Sequence, residues 1–191
     1  MKVFYTLLMV FTPIWENMEC DIFNDLFKMS NYNTVKYYNL CAKYGISEFA
    51  EKTKYYIPNR FPIRGGGVLK SDMGMRLHPI KGIYKMHKGI DLVAIVNDTI
   101  YSSMNGFVKK TNYDAGYGLN LIIANEYGFE SLYAHCSELL IEEGLNVNKN
   151  TPIAIMGQTG LATGKHLHYE IRLKGILLNP LTVFEIKERK Q

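Results

Sequence analysis

Cysteine is scarce in this 191-residue chain, which has only Cys20, Cys41 and Cys136 and no Cys-x-x-Cys pair. A zinc site built on thiolates is therefore not the expectation. Cys20 and Cys41 are free to bridge in an oxidising compartment, although nothing in the sequence requires it. Cys136 adjoins His135, but neighbours on a strand point to opposite faces, so its expected role is a small buried core residue. Strong charge of one sign is also missing. The formal net charge is +4, part of it in the tail Lys187-Glu188-Arg189-Lys190, which reads as a solvated end. With no basic stripe interleaved with aromatics, nucleic acid is not an expected partner. An apolar run long enough to cross a bilayer is absent too, since Val3 to Trp15 is broken by Thr6, Thr12 and Pro13. Led by Met1 and Lys2, that stretch resembles a secretory signal, although no Ala-x-Ala precedes Cys20. Export is the expectation, with no membrane span left once the signal is removed.

Two local absences divide the chain. Residues 21–57 hold one glycine, Gly45, against fifteen from Gly65 to Gly175, and no histidine precedes His78. In the glycine-poor part, Ile22, Leu26 and Met29, then Tyr37, Leu40, Cys41 and Tyr44, recur at helical spacing. Ser47 is a plausible N-cap for a helix over 48–56. The expected layout is a signal or apolar segment at 1–20, a helical extension at 21–60, a β domain at 61–185 and a tail at 186–191. The extension reads either as a pro-segment that keeps the domain latent or as cover for a sheet edge.

Pro58 and Pro62 mark the boundary. Beyond it, Asn105-Gly106 predicts a tight hairpin between strands at 99–104 and 107–110, and residues 125–128 predict another between 119–124 and 130–136. Many short strands at close spacing imply a mainly β, antiparallel fold.

The most informative stretch is Lys165-His166-Leu167-His168-Tyr169-Glu170-Ile171-Arg172-Leu173. At a period of two, His166, His168, Glu170 and Arg172 face outward, and Leu167, Tyr169, Ile171 and Leu173 face the core. Imidazoles two residues apart on a strand lie about 7 Å apart along it. Such a pair can share a metal, or one can bind it while the other moves protons. Upstream, the spacing of His87 and Asp91 puts both on one face, with Gly89 between them leaving room for an ion. An imidazole, a carboxylate and one histidine from 166 and 168 complete three zinc ligands, leaving the fourth position to water, as in catalytic sites. His135 and the remaining histidine are then candidates for proton handling. Carbonic anhydrases want a third histidine in place of the carboxylate. Metallo-β-lactamase sites want Asp-His where this chain has Tyr169-Glu170, and cupins place their glutamate further along.

Four blocks, Gly74-Met75-Arg76-Leu77-His78-Pro79, His87-x-Gly89-x-Asp91, Tyr133-Ala134-His135 and Gly164-Lys165-His166-Leu167-His168-Tyr169-Glu170, occur in the order seen in lysostaphin-type (LytM-like) zinc metalloendopeptidases. Ser102-x-x-x-Gly106-x-Val108, Gly116-Tyr117-Gly118 and Gly157-Gln158-Thr159-Gly160 match as connecting pieces, and the resemblance covers about 61–184. It implies a twisted antiparallel sheet walling a groove, one zinc ion on His87, Asp91 and His168, and His135 and His166 acting on the attacking water and the oxyanion. Arg76 and His78 match a loop bordering the cleft, and Asn120 and Tyr133 lie near the site in such folds. The implied activity is cleavage of peptide bonds in peptidoglycan stems or cross-bridges, which agrees with export. Lys165 and Cys136 depart from the usual proline and leucine without removing a ligand. Non-catalytic regulators with this domain typically lose such residues, whereas all five positions are filled here.

Overall fold

The computed structural model describes residues 55–80 and 82–184. The expectations for 1–20, for the helical extension up to residue 54, for Cys20 and Cys41, and for the tail lie outside the described residues. Within them, the glycine-punctuated segments form twelve strands: β1 (Gly67–Ser71), β2 (Gly74–Leu77), β3 (Tyr84–His87), β4 (Ile90–Ala94), β5 (Thr99–Tyr101), β6 (Gly106–Asp114), β7 (Gly118–Ala124), β8 (Phe129–Leu139), β9 (Asn146–Val147), β10 (Pro152–Met156), β11 (Leu167–Leu173) and β12 (Ile176–Leu178). One helical turn, α1 (Pro180–Val183), follows, and the Asn179 side chain caps it by accepting from the Leu181 amide. No helix among the described residues is long and apolar enough to cross a membrane.

Ten strands form one sheet in the order β1-β4-β11-β8-β7-β6-β9, with β10 paired to β8 and β5, and β12 to the end of β11. Every pairing is antiparallel, so the mainly β, antiparallel fold expected from the sequence is present. β2 and β3 stand apart as a two-stranded hairpin. The predicted 125–128 hairpin joins β7 to β8, its turn closed by the Asn125 side chain accepting from the amides of Tyr127 and Phe129. The predicted 105–106 hairpin does not form. β5 pairs with β10 while β6 pairs with β7 and β9. Asn105 is held elsewhere, its amide donating to Tyr55 O and its side chain accepting from the Lys149 amide.

The two faces of β11 explain where a site can lie. Leu167, Tyr169 and Ile171 are fully buried in the core, each aliphatic chain contributing about 1.5–3 kcal/mol. Tyr169 sits opposite Tyr133 on β8, with ring centroids 5.2 Å apart, and stacks on Phe184. Ser103 satisfies both buried phenols, so neither ring is left with an unpaired hydroxyl. The opposite row departs from the expected outward face. His168 is buried and Glu170 is 0% exposed. β11 runs between β4 and β8, and the hairpin and the loops around 116 and 161 wall a cleft of about 300 Å³ over the polar row.

Candidate metal centre

His87 ends β3 and Asp91 lies in β4, so their spacing crosses between two sheets rather than following one strand. Gly89 does not serve to leave room for an ion. A Cβ there would lie 2.2 Å from Tyr169 O and 2.9 Å from Glu170 Cγ, so glycine is what lets β11 press against the connection. That approach sets His168 opposite Asp91 in register.

The three side chains converge. His87 Nε2 is 3.1 Å from Asp91 Oδ1 and 3.0 Å from His168 Nδ1, and His168 Nδ1 is 3.0 Å from Asp91 Oδ1. Each has its other polar atom committed. His87 Nδ1 lies 2.7 Å from Asp72 O, which only a protonated Nδ1 can satisfy. His168 Nε2 donates to Glu170 Oε1 at 3.1 Å, and Asp91 Oδ2 accepts from Arg76 Nη2 at 3.0 Å. Two imidazole lone pairs and a carboxylate oxygen are thereby turned on one another with no donor between them, an arrangement that needs a cation. Bonds of about 2.0–2.1 Å at a tetrahedral angle give a ligand–ligand edge of about 3.3 Å, close to the edges observed. The donor set and its spacing fit zinc.

The electrostatics agree. Burial pushes the Asp91 carboxyl up, but positive charge at His168 and His87 outweighs it and holds the carboxyl well below the usual range. Burial likewise opposes ionisation of Glu170, yet His168 and Tyr117 bring it down to about 2. Burial lowers His168, and the two carboxylates more than reverse this, so its net shift is upward. Two buried carboxylates attract positive charge into the trio.

His135 and His166 complete the floor of the cleft, with ring centroids 4.6 Å apart. His166 Nδ1 is 2.8 Å from Gly164 O and His135 Nδ1 is 2.7 Å from Thr159 O, which leaves each Nε2 as the free acceptor. His166 Nε2 is 3.6 Å from Asp91 Oδ1. Burial pushes His135 down to about 4, against the Thr159 hydrogen bond.

His135 reaches the cleft by an irregularity. Ala134 pairs with His168 and Leu132 with Glu170, so strict alternation would turn position 135 toward the Tyr133 core. The pairing of β7 with β8 slips between Leu119 and Leu121, and His135 takes φ +62°. The bulge re-aims the ring. Its amide donates to Tyr117 O, and the glycine-bearing loops at 116–118 and 157–160 pack closely enough that a Cβ on Gly160 would meet the Gly118 amide at 2.3 Å.

The remaining candidates separate by position. Arg76 and His78 line the cleft. Asn120 shapes the loop before it by donating to Gly118 O and Asp114 Oδ2. Tyr133 lies in the core with its hydroxyl on Ser103, away from the cleft. Cys136 is buried and its thiol is pushed up to about 12, as suits a core residue. Sequence reasoning missed Glu170 and Tyr117 as partners of the site. Tyr117 donates to Glu170 Oε1 at 2.6 Å, and burial raises its hydroxyl far above the ordinary tyrosine range. The signal for Glu170 was present: two residues after His168, it shares that residue's face.

The family model for peptidase family M23 matches residues 85–180. The chain is 38% identical over 115 residues to the DD-carboxypeptidase/endopeptidase Mpg of Neisseria meningitidis serogroup B, covering 60% of this chain and 26% of that protein. It is 38% identical over 108 residues to the peptidoglycan DD-endopeptidase ShyC of Vibrio cholerae serotype O1, covering 56% of this chain and 25% of that one. The matches thus span about a quarter of these relatives' length. A solved zinc-containing peptidase from Vibrio cholerae superposes with a TM-score of 0.59 at 27% identity, over 64% of this chain and 39% of the other. The matched span encloses the converging trio and both neighbouring histidines, and covers just over half of the sequence: the chain belongs to peptidase family M23.

Proposed function

We propose that the domain at 61–185 is a zinc endopeptidase that hydrolyses peptide bonds in peptidoglycan stem peptides or cross-bridges, with His87, Asp91 and His168 holding one zinc ion and His135 and His166 handling protons and charge. The observation that carries this reading is the convergence of three acceptor atoms, 3.0–3.1 Å apart and without a donor, beside two further imidazoles. When bound, zinc supplies Lewis acidity and brings the pKa of a water ligand to about 7. The chain's own groups do the rest. His166, with Nε2 turned toward the trio, takes the proton released as water oxygen bonds to the peptide carbonyl carbon. The imidazolium so formed returns it to the amine as the carbon–nitrogen bond breaks. His135, neutral at working pH and with Nε2 as an acceptor, sits beside His166 and orients the attacking water by accepting its other O–H. The names of the relatives support peptidoglycan peptides as the substrate class. A wall substrate places the action in the cell envelope, in keeping with a signal-like start.

The test is zinc content of the purified protein together with muropeptide release from purified peptidoglycan, with and without chelator. Stoichiometric zinc and chelator-sensitive release are expected. Zinc-loaded protein lacking residues 1–60 that releases nothing from walls of either cross-link type would sink the reading.

A further inference from the structure

The β2–β3 hairpin brings basic side chains to the cleft wall. Its register pairs are Gly74 with His87, Met75 with Met86, Arg76 with Lys85, and Leu77 with Tyr84. Directly opposed residues share a face and successive pairs reverse it, so Arg76 and Lys85 share the His87 face while the apolar pairs share the other. An antiparallel ribbon lying over a protein normally turns its apolar row inward. Here Met75, Leu77 and Tyr84 are 66%, 56% and 76% exposed, while Arg76 and Lys85 line the cleft, joined by Met86 and by Lys88 just beyond the strand.

This arrangement carries a cost, because like charges directly opposite each other destabilise a strand pair. The surroundings offset it only in part. Asp91 Oδ2 takes one Arg76 nitrogen, and the other ion pairs among the described residues leave out Lys85 and Lys88. Asp114, also lining the cleft, has Oδ1 on the amides of Gly116 and Tyr117 and Oδ2 on the side chains of Asn112 and Asn120. Glu170 is enclosed by His168, Tyr117 and Arg172. Lys85 and Lys88 stand solvent-exposed at the cleft wall beside Arg76 and meet no carboxylate among the described residues, which leaves positive charge there for an anion. On a peptide that anion is a carboxylate.

We propose that Arg76, Lys85 and Lys88 form a carboxylate-recognition subsite, so that the cleft takes peptides with a free carboxylate within two residues of the scissile bond and disfavours their amidated forms. Two residues of extended chain span about 7 Å, which lysine side chains on the adjoining wall can bridge. Arg76 has five N–H donors, so its bond to Asp91 leaves others for the ligand. This inference rests on the hydrolytic reading above and names the substrate feature that its site selects.

The probes are a cross-linked muropeptide dimer whose diaminopimelate carboxyl is free and the same dimer with that carboxyl amidated. Binding is measured by calorimetry on zinc-loaded His166→Ala protein, and cleavage on the unsubstituted protein. The acid form should bind about tenfold more tightly, the scale of a charge-assisted hydrogen bond, with a preference that weakens as salt rises. Lys85→Met with Lys88→Met should bring the ratio near one, and Lys85→Glu alone should reverse it. Equal binding of the two forms, or a preference that survives both variants, overturns the subsite. A Lys85-dependent preference in binding with no cleavage of either dimer supports the subsite and overturns the hydrolytic reading instead.

Discussion

Position 135 asks two things of its residue: an imidazole and a left-handed backbone. At φ +62° any residue other than glycine, asparagine or aspartate is strained by about 1–2 kcal/mol. His135→Asn is therefore the informative substitution, since it removes the ring with little backbone penalty. The variant should fold, keep its zinc and lose about 100-fold or more in muropeptide release, the scale of general acid–base catalysis. A His135→Asn protein purified without zinc would overturn the division between metal-holding and proton-handling residues. The same variant reads out the ring's titration. Folded His135 stays neutral down to about 4, whereas in the unfolded chain it takes a proton near 6.5. In that window the unfolded state binds more protons, so the folded protein loses stability as pH falls from 6.5 to 4. Denaturant titrations across this range should show a shallower fall for His135→Asn than for the parent. The histidines were unequally legible in the sequence. His166 and His168 share a face by simple parity, while His135 reaches the cleft through a bulge that parity alone would deny. Arg76 and Lys85 are nine residues apart, and only the register of the folded hairpin makes them opposite neighbours.

At the scale of elements, the site is made by strands crossing rather than by any one strand. β3 delivers His87 from the hairpin, β4 delivers Asp91 from the sheet, and β11 closes on both because position 89 carries no side chain. Gly89→Ala puts a methyl against backbone atoms of β11, which cannot move without breaking its pairing with β8. A loss of about 1–3 kcal/mol is expected, as for other overpacked positions. Metal affinity should fall with it, because the displaced strand carries His168. Urea unfolding and chelator competition measure the two effects. Unchanged values in both would mean that the connection yields and the close approach is incidental. The hairpin at 125–128 was legible because its turn residues serve the two strands beside them. The one expected at 105–106 was not, because β5 finds its partner, β10, some fifty residues away, and local turn chemistry says nothing of that. The polar row of β11 was legible as a row, but its burial depends on loops from three other parts of the chain.

For the molecule as a whole, the cation is part of the stability of the fold. Without it, Asp91 and Glu170 remain as buried carboxylates around imidazoles whose lone pairs face one another. A ligand that binds only the folded state adds about 4 kcal/mol when present at a thousand times its dissociation constant. For a domain of this size, that is roughly 10 °C in melting temperature. Chelator should lower Tm by about this amount, and added zinc should restore it. His168→Ala should melt low and respond to neither, since the remaining pair is a weak site. His135→Asn should respond as the parent does, because its ring lies beside the trio and not within it. An unsubstituted protein whose Tm ignores the chelator would mean that the converging acceptors are held by a proton instead of a metal. In that case acidification should stabilise the protein until His168 is fully protonated. Measured on His135→Asn, which lacks that ring's opposing titration, the sign of the stability change on mild acidification, with and without chelator, therefore separates the two occupants of the same three atoms.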